Sequence, residues 1–212
     1  VREGDSVRTG DTLMHVQGSL RAILTAERTA LNFLQRLSGI ATRTAGLVEV
    51  VSGTGVRVID TRKTTPGLRM LEKYAVALGG GANHRWALDS GILIKDNHIK
   101  AAGGVKQVLA AAREGAPHSL AIEIECKEVA QVREAVACGA DIVMLDNMRG
   151  ETLREALTIT EGHCRVEVSG GINESNIREV ALAGVDWISV GALTHSVTSL
   201  DISLDVQEVN DE

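Results

Sequence analysis

From Gly55 to Gly191 the chain alternates two kinds of segment. Short apolar, β-branched runs end in polar residues: Val56–Asp60, Ile92–Lys95, Leu120–Glu125, Ile142–Asp146, Val166–Ser169 and Trp187–Gly191. Between them lie Ala- and Leu-rich segments with apolar positions every three or four residues: Gly67–Leu78, Gly103–Glu114, Lys127–Cys138, Glu151–Ile159 and Glu174–Ala183. The first kind predicts strands and the second amphipathic helices. Strand, helix, strand order calls for a parallel sheet, and runs apolar along most of their length call for burial on both faces. Ahead of this repeat, Ala26, Ala30, Leu31, Leu34 and Leu37 predict a helix from Thr25 that stops at Gly39, followed by a second over Ala41 to Val51. In Val1–Gly18, Gly-Asp pairs bracket short alternating segments and predict β-turns between brief strands. The chain opens on Val1 without Met, and the expectation is that a true start lies upstream.

An open doubly wound sheet and a closed α/β barrel both suit this order. A dinucleotide-binding sheet needs a glycine-rich phosphate loop after its first strand, and none is present. Gly79-Gly80-Gly81 follows a helix instead and reads as a helix end with a tight loop. Polar side chains gather at the C-terminal ends of the predicted strands, as they do around the mouth of a barrel. Of the two, the α/β barrel is therefore the expected fold.

With 212 residues, 44% hydrophobic and 24% charged, the chain has the composition of a single globular domain with at most a small appendage. The net charge of −6 repels polyanions as a whole, and only four residues are aromatic (Phe33, Tyr74, Trp86 and Trp187). Nucleic acid is thus not an expected partner. Apolar runs such as Gly91–Ile94 fall far short of the roughly 20 residues a bilayer needs, so no membrane association is expected. Cys126, Cys138 and Cys164 form no CxxC pair and read as reduced, buried thiols of a cytoplasmic protein, with a metal or redox site as the alternative.

Against this acidic background a cluster of cations stands out. Arg62 and Lys63 follow a buried strand directly, and His84, Arg85, Lys95 and His98 add four potentially cationic groups in the next stretch of chain. Guanidinium and ammonium groups beside hydroxyls and turn amides make a carboxylate or phosphate site, so an anionic ligand is expected. Lys95, ending an apolar run, should be partly buried, with Asp96 or a ligand carboxylate as its partner. Glu123 and Glu125 alternate along one strand and share a face, with Asp146 at the end of the next. Such a carboxylate cluster suits sugar hydroxyls, Mg²⁺ or a developing positive charge, and salt bridges within the barrel are the plainer alternative. Ser169, Gly170, Gly171 and Gly191 follow late strands, where amides approach a phosphate, with Asn173 or Ser175 capping the next helix. His195 and Ser196 lie just beyond as extra donors.

Taken jointly, these stretches resemble the nicotinate-nucleotide pyrophosphorylase (carboxylating), or quinolinate phosphoribosyltransferase, family. The resemblance is carried by Glu27–Gln35, Asp60–Gly67, Asn83–Arg85, Leu93–His98, Leu145–Asn147 and Ser169–Ile172. It implies that the barrel is an irregular α/β barrel of fewer than eight parallel strands, together with a partial N-terminal α/β sandwich-like domain whose first part is missing. The divisions expected are residues 1–40 for the end of that domain and a linking helix, 41–198 for the barrel, and 199–212 for a return toward the N-terminal domain.

It also implies reaction of quinolinate with phosphoribosyl pyrophosphate to give nicotinate mononucleotide, CO₂ and pyrophosphate in NAD biosynthesis, with Mg²⁺. On the same resemblance, Arg28, Arg62, His84, Arg85 and Lys95 cradle quinolinate, Arg28 entering from the other subunit of a homodimer or larger oligomer. Lys63, Glu125, Asp146, Ser169, Gly170, Gly171 and Gly191 face phosphoribosyl pyrophosphate, and Lys95, Glu125 and Asp146 are the catalytic set. Mg²⁺ is expected to travel with the pyrophosphate and to have no dedicated protein ligand, Glu125 and Asp146 being the carboxylates within its reach. A transferase acting on nicotinate or another anion, and an idle anion-binding homologue, are the competing readings.

Overall fold

The computed structural model of the chain describes residues 1–206. Six parallel strands form one sheet: β1 (Arg57–Ile59), β2 (Ile92–Ile94), β3 (Ile122–Cys126), β4 (Ile142–Asp146), β5 (Arg165–Ser169) and β6 (Trp187–Ser189). Their order is β1-β6-β5-β4-β3-β2, a cyclic succession with first strand against last and one gap, between β1 and β2. The sheet is strongly curled. Neighbouring strands lie about 4.8 Å apart, so β3 and β5, separated by β4, would stand roughly 10 Å apart in a flat sheet. Yet Nε2 of His84 lies 3.1 Å from Glu123 on β3 and 3.5 Å from Glu167 on β5. This convergence fits a concave inner face, and with the first strand against the last the fold is an irregular, open α/β barrel.

The two faces of the sheet have opposite chemistry. Ile122, Ile124, Val143, Leu145, Val166, Val168 and Ile188 are buried in one apolar cluster with residues of the surrounding helices. The alternate positions Glu123, Glu125, Asp146, Glu167, Ser169 and Ser189 share the other face by register. Period two therefore sends the hydrocarbon outward against helices and the polar groups into the barrel. The helices are α1 (Leu20–Val50), α2 (Arg69–Leu78), α3 (Asp96–Ala102), α4 (Val105–Gly115), α5 (Val129–Ala137), α6 (Gly150–Thr160), α7 (Ile177–Leu182) and α8 (Ala192–His195).

Two local expectations are corrected, and one short helix is added. The two helices expected to part at Gly39 are one, α1, of 31 residues. A glycine inside a helix costs about 1 kcal/mol relative to alanine, which burial of Ile40, Thr44, Leu47 and Val51 along one stripe offsets. Gly39 has another use, because a Cβ there would overlap the carbonyl of Thr198. The C-terminal segment passes close along α1, where Leu200 N donates to Gln35 O (3.0 Å) and Gln35 Nε2 to Ile202 O (2.8 Å). Of the return expected over 199–212, residues 207–212 lie outside the described residues.

Next, the brief strands expected in Val1–Gly18 do not form. The turns do, with Asp5 N donating to Arg2 O and Asp11 N to Arg8 O. A strand needs a neighbour for its ladder, and no described residue supplies one to this segment. Lastly, the run Lys95–His98 opens a short helix, α3, with His98 Nδ1 accepting the Lys95 amide at 2.9 Å. As expected, Gly79 ends α2 and Gly80 turns the chain at φ +82°. The three cysteines are free, Cys126 buried as expected and Cys138 and Cys164 only partly so.

Candidate active site

Two adjacent residues of α2, Glu72 and Lys73, are fully buried and organise the loops that follow β1. Lys73 Nζ donates to Asp60 Oδ1 and, at 3.0 Å, to the carbonyl of His84. Asp60 Oδ1 also accepts the His84 amide at 2.8 Å, and the Asn83 amide, turned to satisfy both partners, donates to Asp60 Oδ2 and Lys73 O. The segment carrying His84 and Arg85 is thus pinned to a buried ion pair. Burial pushes the Asp60 carboxyl up and the Lys73 ammonium down, and each opposes the shift of the other. Glu72 accepts from Arg36 of α1 (Nη2 at 2.7 Å) and from Thr65 N (3.0 Å), while Arg36 also reaches Thr65 Oγ1 and Thr194 O. Thr194 Oγ1 in turn donates to Lys63 O (2.8 Å), and Gly191 lies beside the Lys63 side chain. Lys63 and Gly191 are therefore brought together.

Arg62 and Arg85 converge on the same end of the barrel. Burial, and after it the nearby Arg62 charge, hold the Arg85 guanidinium below its ordinary range. Arg85 Nη1 donates to Gly91 O at 3.0 Å, but its buried Nε, like the buried Nε of Arg62, has no partner. Unpaired buried donors on guanidinium groups are what a site for an anion presents before the anion arrives.

Lys95 differs from expectation. Its side chain is half exposed, and its partner is Glu125 Oε2 at 2.7 Å rather than Asp96, which pairs with Lys127 at 3.0 Å. The reason is the period of the sheet: Glu125 projects into the barrel toward the end of β2, whereas Asp96 already belongs to the first turn of α3. Asp146 accepts from Asn147 Nδ2 (3.0 Å), whose backbone is left-handed at φ +58° and donates to Ser169 O. At Gly170, φ is +86° and a Cβ would overlap the Asn147 amide, so the β4 and β5 loops interlock there. Gly171 follows with φ +59°, and Asn176, not Asn173 or Ser175, occupies the N-cap position of α7. Asn173 instead accepts from Ser175 in the turn before it.

The side chain of Arg28 is 69% exposed on the N-terminal half of α1, and among the described residues its one ion-pair contact is with Glu27, at 4.0 Å. His84 also departs from the cationic reading. Its Nδ1 accepts the Arg85 amide at 2.7 Å, which by hydrogen-bond geometry places the ring proton on Nε2, facing Glu123 and Glu167. Burial holds the imidazole below its ordinary pKa, so it is neutral. Burial likewise pushes Glu123 up to about 7 and Glu167 up to about 8.

Glu167, Lys73, Glu72 and Arg36 were not singled out in the sequence. Glu167 alternates with Ser169 as Glu123 does with Glu125, so period two alone would have found it. For the α2 and α1 charges no such signal exists, since charged helix residues are ordinarily solvated.

Comparison with known proteins places the whole chain among relatives of one kind. A family model described as the quinolinate phosphoribosyl transferase C-terminal domain matches residues 40–205, and that of the N-terminal domain matches residues 1–38. The chain is 47% identical over 210 residues to a probable nicotinate-nucleotide pyrophosphorylase (carboxylating) of Bacillus subtilis (strain 168), covering 99% of this chain and 73% of that one. It is 41% identical over 207 residues to the human nicotinate-nucleotide pyrophosphorylase (carboxylating), covering 95% and 70%. Among solved structures, NadC from Streptococcus pyogenes superposes with a TM-score of 0.93 at 47% identity, covering 97% of this chain and 72% of that chain.

Proposed function

The chain belongs to the quinolinate phosphoribosyl transferase family, and from that premise we propose how its own residues carry the family's reaction. It transfers phosphoribosyl from phosphoribosyl pyrophosphate to quinolinate with decarboxylation, giving nicotinate mononucleotide, CO₂ and pyrophosphate, in de novo NAD biosynthesis.

In this reading Arg62 and Arg85 take the quinolinate carboxylates, their unpaired buried Nε atoms being the observation that carries the assignment. Lys95, held on Glu125, adds a third cation. His84 contributes by fixing Arg85 rather than by charge. The partial exposure of Lys95 leaves room for a substrate carboxylate to replace or share Glu125. Two substrate carboxylates left unpaired in a closed site would cost several kcal/mol each. Lys63, Ser169, Gly170, Gly171 and Gly191 face the phosphates, while Glu125 and Asp146 face the ribose and the positive charge that develops at its reacting carbon. The pyridine nitrogen attacks that carbon as the bond to pyrophosphate breaks. The bond to the carboxylate beside the nitrogen then breaks, its electron pair is held next to the cationic ring nitrogen, and a proton replaces CO₂. No protein nucleophile is needed.

Mg²⁺ is read as part of the pyrophosphate-bearing substrate, whose charge it neutralises. Glu125 is already engaged by Lys95 and Asp146 by Asn147, so no side chain is assigned to the ion. The exposure of Arg28 supports its entry into the site of a second subunit of a homodimer. Among the described residues no helix is long and apolar enough to cross a membrane, and a cytoplasmic place suits the reaction.

Arg62→Ala and Lys95→Ala should each lower quinolinate turnover by about 10²-fold or more, the scale of removing one charge-stabilising group, while leaving the unfolding temperature nearly unchanged. Near-normal turnover in both would overturn the site assignment. Nicotinate, with one carboxylate fewer, should not be turned over. Arg28→Ala mixed with Lys95→Ala should regain activity in mixed dimers.

A further inference from the structure

One buried polar group inside the barrel takes no part in the reaction as read above. Glu123 on β3 and Glu167 on β5 are 5% and 2% exposed. Both Oε2 atoms face the single Nε2–H of His84, at 3.1 and 3.5 Å, and neither Oε1 has a partner; nor has the buried Ser189 Oγ on β6. The groups facing Glu123 are Arg85 and Lys95 across the barrel, Glu125 on its own strand, and Glu167. Glu167 is faced by Glu123, His84 and Ser189, while Asp60, Lys73 and Arg85 lie on the far side of His84. Among the described residues no Lys or Arg comes within ion-pair distance of either glutamate: Lys95 is on Glu125 and Lys73 on Asp60.

Two adjacent carboxylates with no contacting cation cannot both stay ionised in a dry site; like-charged neighbours of this kind share a proton. The same three ligand-type atoms lie within 4.8 Å of one another, close enough for a divalent cation. Ligation through His84 Nε2 would, however, require moving the ring proton to Nδ1, directly against the Arg85 N–H that Nδ1 now accepts. The hydrogen bonding therefore favours a proton over a metal.

We propose that Glu123 and Glu167 form an acid–carboxylate pair holding one proton, and that this pair is a positioning device for the anion site. By accepting His84 Nε2–H it fixes the ring whose Nδ1 holds the Arg85 backbone. By carrying one negative charge instead of two it leaves Arg85, which has no ion-pair partner among the described residues, available to an anionic substrate. The second part rests on the quinolinate reading; the first does not.

Infrared difference spectra of metal-free protein at neutral pH test the first part. One protonated-carboxyl band is expected in the unaltered protein, and either Glu123→Gln or Glu167→Gln alone should abolish it, because the remaining glutamate then ionises against the glutamine amide. Absence of the band, or its halving in each variant, overturns the pair. Titration with Zn²⁺ alone should not distinguish the unaltered protein from the double Gln variant; stoichiometric binding lost in that variant would replace the proton with a metal site. Steady-state kinetics test the second part. Glu167→Gln should keep KM for quinolinate within about threefold, whereas Glu167→Ala should raise it roughly tenfold or more with kcat less affected, the scale of losing one buried hydrogen-bond partner. Equal damage by Gln and Ala overturns the positioning role. If the protein turned over no quinolinate at all, the substrate reading would fall and the infrared band would still decide the pair.

Discussion

Replacing Lys73 with methionine tests the claim that a buried ion pair shapes the mouth of the barrel. The new side chain keeps most of the volume, so little cavity forms. What is lost is the ammonium that donates to Asp60 and to the His84 carbonyl. Asp60, fully buried, would keep the His84 and Asn83 donors but no countercharge. Breaking a buried pair from one side costs about 3–5 kcal/mol, against a total stability of roughly 5–15 kcal/mol. At about 2–4 °C per kcal/mol for a chain of this size, the unfolding temperature should fall by some 6–20 °C. Urea and thermal unfolding followed by circular dichroism would measure it. Adding Asp60→Asn should return at least half of the loss, since a neutral amide oxygen still accepts the His84 amide and Asn83 can turn to offer its own oxygen. A single-variant cost below about 1 kcal/mol, or a double variant as costly as the sum of the singles, would refute an energetic role for the pair.

Other substitutions and conditions probe the remaining joints. Gly39→Ala should destabilise by about 1–3 kcal/mol, because the contact is with the Thr198 backbone and cannot yield by a side-chain rotation; an unchanged urea midpoint would show that the C-terminal segment is not packed there. Gly170→Ala, strained at φ +86° and set against Asn147, should cost about 1–3 kcal/mol and raise KM for phosphoribosyl pyrophosphate more than KM for quinolinate; equal changes in both would count against a phosphate role for this loop. The glutamate pair also makes stability depend on pH. Both folded carboxyls titrate above the ordinary 4.5, so their stabilisation is fully present below that value and lost as pH rises through about 7 and about 8. His84, held neutral, acts with the opposite sign below its ordinary 6.5, which leaves pH 6.5 to 8 as the clean window. There the unfolding free energy should fall by up to about 1.4 kcal/mol per pH unit for each proton, and the Glu123→Gln, Glu167→Gln double variant should flatten the slope; parallel curves would be the contrary result.

The strand and helix alternation was legible because each strand must present an unbroken apolar row to the helices outside it, and that demand is written in consecutive β-branched residues. Ile142–Asp146 has the same limits in sequence and structure, while Val56–Asp60 shrinks to Arg57–Ile59 because Asp60 turns to Lys73 and the ladder ends. Local propensity misled at Gly39, where packing against residues 198–202 outweighs a weak helix breaker. It also hid α3, whose first turn is capped by His98 on Lys95, residue types outside the usual serine, threonine or aspartate signature.

The site was legible in its cations but not in what each cation meets. Of the six basic groups that cluster in sequence, His84 is neutral and faces two glutamates, His98 accepts the Lys95 amide, and Lys95 is paired with Glu125. Arg62, Lys63 and Arg85 are left without an ion pair among the described residues. Counting basic residues therefore overstates the positive charge a ligand would meet, because an acidic chain neutralises part of its own cluster through carboxylates visible only from strand parity or not at all. The surplus that remains sits where the β1 loop and the Asn83–Arg85 segment meet, and both are fixed by buried charges of α2, Glu72 to the first and Lys73 to the second. On the proposed reading, two helix residues thus position the loops that would bind the anion, which is why the unpaired guanidinium atoms, rather than the number of cations, carry the functional assignment.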